Sequence, residues 1–160
     1  MSENPAPPRA PPGIDRSDPG APEAVALLDA LSDALGAITG DSGRASFDPD
    51  DVRGERACFV LARGCDGRAL GCGALRPLGD DIAEIKRMYA APGSAGVGSA
   101  LLAWLEAEAA RLGYRALWLE TRLVNTRAVR FYEGRGYARI ANYGKYAGNA
   151  QAVCLAKQLV

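Results

Sequence analysis

From position 83 to 112 the chain reads AEIKRMYAAPGSAGVGSALLAWLEAEAARL. Residues 84–90 place Ile85, Met88 and Tyr89 in a short run that stops before Pro92, as a strand does. Gly93, Gly96 and Gly98 follow at once. From 99 to 112 there is no Gly or Pro, and Leu101, Leu102, Leu105, Ala109 and Leu112 share one helical face. Gly113 stands where a C-terminal cap is expected. A helix that opens directly from a glycine turn presents unpaired N–H groups and the positive end of its dipole. That suits an anion, phosphate in particular. A plain structural turn has the same composition, so the glycines alone leave both readings open.

Two other phosphate loops are excluded. No Gly-Lys-Ser/Thr is present, and GSAGVG has glycines at its first, fourth and sixth positions, where the dinucleotide fingerprint needs the first, third and sixth. The stretch resembles motif A of the GCN5-related N-acetyltransferases, the GNAT superfamily. That motif is Arg/Gln-x-x-Gly-x-Gly/Ala, following a strand and opening a helix. A second stretch, NTRAVRFYEGRGY from Asn125 to Tyr137, resembles the family's motif B, Asn-x-x-Ala-x-x-Phe-Tyr-x-x-x-Gly-Phe/Tyr. The likeness runs from Glu23 to the C-terminus.

The remaining sequence agrees with a single enzyme domain. The 160 residues, 48% hydrophobic and 24% charged, suffice for one core. Nineteen basic and nineteen acidic side chains cancel, which argues against a general nucleic-acid or anionic-membrane binder. No apolar run reaches membrane-span length and no secretory leader opens the chain. Cys58, Cys65, Cys72 and Cys154 are scattered without a Cys-x-x-Cys. They read as buried free thiols in a reducing cytoplasm rather than disulfides or a metal site. Histidine is absent, which removes imidazole as base or ligand.

In chain order, residues 1–22 are rich in Pro and Gly and read as largely disordered, with a remnant edge strand near 14–16. Residues 23–160 form the acetyltransferase domain. Pro22 opens a helix with an apolar stripe of Val25, Leu28, Leu31, Leu35 and Ile38, ended by Gly40. Asp48 caps a short turn. Strands are expected at 57–62, 68–75, 84–90, 116–121, 137–141 and 151–158, with a helix at 126–135. Asp66-Gly67 marks a hairpin, and Gly71 and Gly73 mark a bulge or close approach. The fold class is α/β: one mixed, mostly antiparallel sheet of six or seven strands flanked by helices. The family likeness adds a V-shaped splay at its centre.

The resemblance also implies a chemistry. Coenzyme A, as acetyl-CoA, would lie on the turn formed by Gly93, Ser94, Ala95, Gly96, Val97, Gly98 and Ser99. Its pantetheine arm would meet the backbone near Met88 and Ala90, and Asn125 would touch it. Tyr132 matches the tyrosine that protonates the departing thiolate, a proton transfer within reach of a phenol of pKa about 10. A packed tyrosine is its plain alternative. Glu84 matches the general-base glutamate of some members; otherwise it is a solvated strand residue paired with Lys86 or Arg87. Asn125 also reads as a helix cap. Tyr143 and Tyr146, in a loop long for a hairpin, either wall the acceptor site or simply pack the loop. Lys86 and Arg87 either steer an acidic substrate or are solvated. One departure stands out: Gly93 replaces the motif's Arg/Gln, and the turn is two residues shorter than the common form.

The expected activity is acetyl transfer to a primary amine by direct attack. The acceptor is a small molecule or a peptide or protein amine, with no nucleic acid and no membrane involved. Many family members pair as homodimers, which leaves that state open here. The alternative reading is a catalytically silent acyl-CoA sensor or interaction module.

Overall fold

In the computed structural model, which describes residues 12–159, the strand, turn and helix of 83–112 become β4 (Ile82–Ala90) and α2 (Val97–Arg111). Around them the order is β1 (Gly13–Ser17), α1 (Pro22–Thr39), β2 (Cys58–Arg63), β3 (Ala69–Pro77), then β5 (Ala116–Arg122), α3 (Thr126–Glu133), β6 (Ala138–Ile140) and β7 (Ala152–Gln158). The sheet has seven strands in the order β1-β2-β3-β4-β5-β7-β6. Every pair is antiparallel except β4 and β5. α2 is the crossover that a parallel pair requires. Residues 12–22, read as part of a Pro-rich segment, supply β1 and the first residue of α1; residues 1–11 of that segment lie outside the described residues.

The two glycines of β3 have a steric reason. A Cβ on Gly71 would stand 2.6 Å from Tyr89 O and 2.8 Å from Val97 Cγ1, and one on Gly73 would stand 2.6 Å from Met88 Sδ. They let β3 pass beneath α2 and opposite an irregular β4, where the register shifts between Cys72 and Ala74. Gly71→Ala meets a backbone oxygen that cannot swing away. We expect it to lose about 1–3 kcal/mol of stability, the usual cost of overpacking, measurable as a lower urea midpoint at unchanged slope.

Helix α1 packs with a different face from the one its strongest hydrophobes suggest. Ala24, Leu27, Leu31 and Ser32 are buried, whereas Val25 and Ile38 are 43% and 46% exposed. Small Ala24 allows close approach to the layer of Phe59, Leu61, Cys72 and Ala74. Ser32 is buried because it accepts a hydrogen bond from the sheet, as described below. Gly40 ends the helix at φ 79°, its N–H donating to Gly36 O. On the opposite face, α2 buries Val97, Leu101, Leu102, Leu105 and Ala109 against Val60, Leu75, Ala83, Ile85, Leu117 and Leu119. Of the cysteines, Cys65 is exposed, and Cys58, Cys72 and Cys154 are buried. Burial pushes the Cys58 thiol up to about 11 and the Cys72 thiol up to about 12, which keeps both unreactive.

Two strand features create the site. β4 and β5 pair only from Ile82–Glu84 against Ala116–Trp118, so their C-terminal halves part. Within the parted half of β4, Arg87 adopts φ 54°, a bulge that redirects the side chains following Lys86.

Candidate active site

The turn after β4 ends in a helix start with open donors. Gly93 and Gly96 take φ 79° and 83°, and nothing lies within 4 Å of where either Cβ would be. Val97 N–H turns back on Ser94 O at 3.3 Å, and Ala100 N–H begins the helical series on Gly96 O at 3.0 Å. The N–H groups of Gly98 and Ser99 between them therefore stand at the open end of α2. Gly98 lies against the Phe131 ring and Ala90 Cβ, which ties this end of α2 to α3 and β4. Ser94 Oγ donates to Ala91 O. Ser99 Oγ accepts from Arg135 Nη2.

That arginine follows α3, and its guanidinium lies 3.9 Å over the Phe131 ring while Nη1 donates to Phe131 O at 3.0 Å. Held this way, it brings positive charge to the turn that lacks the motif's own cation. Space beside the Gly93 and Gly96 backbone, helix N–H groups without an acceptor among the described residues, and a fixed guanidinium are a donor set that fits phosphate oxygens.

The parted strands open a cleft lined by Lys86 and Met88 of β4, Glu120 and Arg122 of β5, and Asn125 and Tyr132, with Tyr146, Leu35, Asp41 and Phe47 on the far wall. Asn125 caps α3, its Oδ1 accepting from Ala128 N–H at 3.3 Å, so both of its expected roles remain compatible. Tyr132 is 7% exposed and belongs to the core, with Phe131 and Tyr137 edge-on at 5.1 and 5.5 Å. Its hydroxyl makes no hydrogen bond among the described residues, and burial alone raises its pKa. The phenol therefore keeps its proton throughout the neutral range, within a cleft wall.

Glu84 is placed otherwise than the sequence suggested. Its side chain is 1% exposed and lies under the cleft rather than lining it. Arg76 Nη1 donates to Oε1 at 3.0 Å, Tyr143 O–H donates to Oε2 at 2.5 Å, and Lys86 Nζ stands 3.7 Å from Oε1. Tyr143 is turned to this carboxylate and to Trp118, ring centroids 5.0 Å apart, and is absent from the cleft lining; Tyr146 is present there. Lys86 is not solvated: it donates to Tyr146 Oη at 3.0 Å, and burial lowers its pKa against the pull of Glu84. Arg87, from the bulge, donates to Ser32 Oγ at 2.6 Å and Ser42 O at 3.2 Å. It clamps α1 and the following loop over the cleft.

A family model described as the acetyltransferase (GNAT) family matches residues 24–137. The chain belongs to that family. It is an acetyl-CoA-dependent acyltransferase by this membership. An IAA acetyltransferase of Azospirillum brasilense is 28% identical over 149 residues, covering 91% of this chain and 97% of its own. A protein assigned as an acyl-CoA N-acyltransferase from Klebsiella pneumoniae superposes with a TM-score of 0.78 at 28% identity, covering 93% and 98% of the two chains. A GNAT acetyltransferase of Elizabethkingia anophelis, solved with acetyl-CoA bound, shares the fold at a TM-score of 0.68 and 18% identity, over 92% and 98%.

Two residues of this GNAT chain escaped the sequence reading. Arg135 sits inside motif B, where only its neighbours carried meaning. Glu120 fell within a strand expected at 116–121. A signal for it existed: a carboxylate between Leu119 and Thr121 on a central strand needs a partner or a cavity.

Proposed function

We propose that this GNAT chain transfers the acetyl group of acetyl-CoA to a primary amine by direct attack on the thioester. The observation that carries the reading is the Tyr132 hydroxyl, without a hydrogen-bond partner among the described residues, on the wall of the cleft where β4 and β5 part. The donor brings an activated thioester; the chain holds it and moves protons. Phosphates would sit on the turn 93–99, facing the N–H groups of Gly98 and Ser99 and the Arg135 guanidinium. The pantetheine arm would enter between the parted strands beside Met88 and Ala90. Tyr132 would give its proton to the departing sulfur. No cysteine intermediate is needed, because both reactants share one cleft.

Thiol release from acetyl-CoA across a panel of primary amines tests the activity. Release above the acceptor-free rate with one of them is the expected result, and none with any amine overturns it. Gly98→Asp tests the cradle. A carboxylate in the first turn of α2 favours the helix itself, so melting temperature should hold or rise. The same charge opposes phosphate, and acetyl-CoA affinity should fall at least about tenfold, or 1.4 kcal/mol. Calorimetry that gives equal affinities would remove the turn from the binding site.

A further inference from the structure

One cation of the cleft has no carboxylate to answer it. The charged residues that line the cleft are Asp41, Lys86, Arg87, Glu120 and Arg122. Lys86 stands 3.7 Å from Glu84, and Arg122 stands 3.5 Å from Asp41 and 3.2 Å from Glu120. Arg87 forms no ion pair among the described residues. Its two acceptors, Ser32 Oγ and Ser42 O, are neutral. Two groups act on its charge. One is the Cys72 thiol, whose pKa burial has pushed up to about 12. The other is Arg44, a second cation, itself paired with Asp29 at 3.0 Å.

The chain holds this cation in place at a cost. Arg87 has φ 54°, a conformation that a residue with a side chain keeps only where its surroundings impose it. Nη1 lies 3.0 Å from where a Cβ on Gly43 would stand, and the guanidinium centre is 5.7 Å from that of the Phe47 ring. Gly43 and Phe47 both line the cleft. The side chain is part-buried. Nη1 and Nη2 each donate once to the chain and each carry a second N–H. Arginine stays charged under all working conditions, and burying a charge without a counter-ion is unfavourable. The planar fork of a guanidinium matches a carboxylate.

Around Arg122 the balance is reversed, with one guanidinium facing the two carboxylates Asp41 and Glu120. The cleft therefore offers negative charge at one place and positive charge at another. A zwitterion suits both. Resting on the transferase reading above, we infer that the acceptor is an amino acid, a primary amine whose carboxylate is bound by the Arg87 guanidinium at the β4 bulge. Leu31, Leu35 and Phe47 line the same cleft, and apolar surroundings strengthen such a contact. The bulge has a purpose on this reading. Lys86 and Arg87 are consecutive and in an unbroken strand would face opposite sides, whereas here both line the cleft.

The test follows thiol release from acetyl-CoA by wild type, Arg87→Gln and Arg87→Lys, with α- and ω-amino acids each set beside its own carboxamide. Wild type should favour the acid of at least one pair by about tenfold or more in kcat/KM, and the preference should weaken with added salt. Arg87→Gln should erase it, chiefly through KM, and Arg87→Lys should keep part of it. A loosened clamp on α1 would slow acid and carboxamide alike and leave their ratio untouched, so the ratio is the quantity read. No preference in wild type, or an unchanged ratio in Arg87→Gln, overturns the inference and leaves the transferase reading standing. Release with no amine at all fails the transferase reading instead. Calorimetry of wild type with the same pairs, in the presence of coenzyme A, then decides the carboxylate site by itself: binding of an acid over its carboxamide supports it, and equal binding or none overturns it. If Arg87→Gln does not fold, Arg87→Lys and the wild-type salt series decide, and a ratio that neither of them moves refutes the assignment.

Discussion

Tyr132→Phe should lower turnover by roughly 10²–10⁴-fold, the usual worth of a positioned proton donor, while leaving the protein folded and able to bind acetyl-CoA. The substitution removes one oxygen and keeps the ring that packs against Phe131 and Tyr137. Among the described residues that oxygen has no hydrogen-bond partner to orphan, so stability should change little. Burial raises the phenol's pKa, so the donor form persists across neutral and mildly alkaline conditions and the effect should not vary with pH there. A loss confined to kcat, with acetyl-CoA affinity intact, marks an interaction made in the transition state. Full turnover in the variant would make Tyr132 a packing residue and assign the proton to water.

The second large effect concerns stability. Glu84→Gln should cost about 3–5 kcal/mol, the range for breaking a buried ion pair from one side, and toward the lower end of it. The carboxylate is 1% exposed and answers two cations and the Tyr143 hydroxyl at once. With an amide in its place, Lys86 remains on the cleft wall without its nearest counter-charge. Arg76 retains Asp51 at 3.5 Å, which softens the loss. At about 2–4 °C per kcal/mol for a domain of this size, thermal unfolding should begin well below that of the parent. An unchanged melting temperature, joined to an activity loss that vanishes at high pH, would return Glu84 to the role of base.

Glu84 shows where the sequence speaks and where it stops. Periodicity and glycine placement located β4, the turn and α2 within a residue or two, because each depends on local sterics and on a repeat visible along the chain. The seven-strand sheet and its family followed from two motifs. Placing Glu84 in the cleft failed because its fate depends on Arg76 and Tyr143, 8 and 59 residues away. Strand alternation assigns a face; it does not say whether that face is open or roofed. The bulge at Arg87 had no signature either, since arginine is an unusual choice for a positive φ. Helix α1 was misread by about one residue's rotation because hydrophobicity ranks Val25 above Ala24, whereas close packing rewards the smaller side chain.

The brief pairing of β4 with β5 has a mechanical consequence. β4 has nine residues and β5 seven, yet three on each strand join them. Strands β1 to β4 form one plate and β5 to β7 another; their backbones join at one corner, and α2 packs across both. A load applied at the mouth of the gap acts on that corner with leverage, as a wedge does in a split plank. Side chains bridging the far ends, Arg87 to α1 on one plate and the Asp41–Arg122 contact between plates, are the stays that limit how far the gap can spread. The gap is thus held from both ends, by the core under α2 that spans the two plates and by a few polar contacts at the rim.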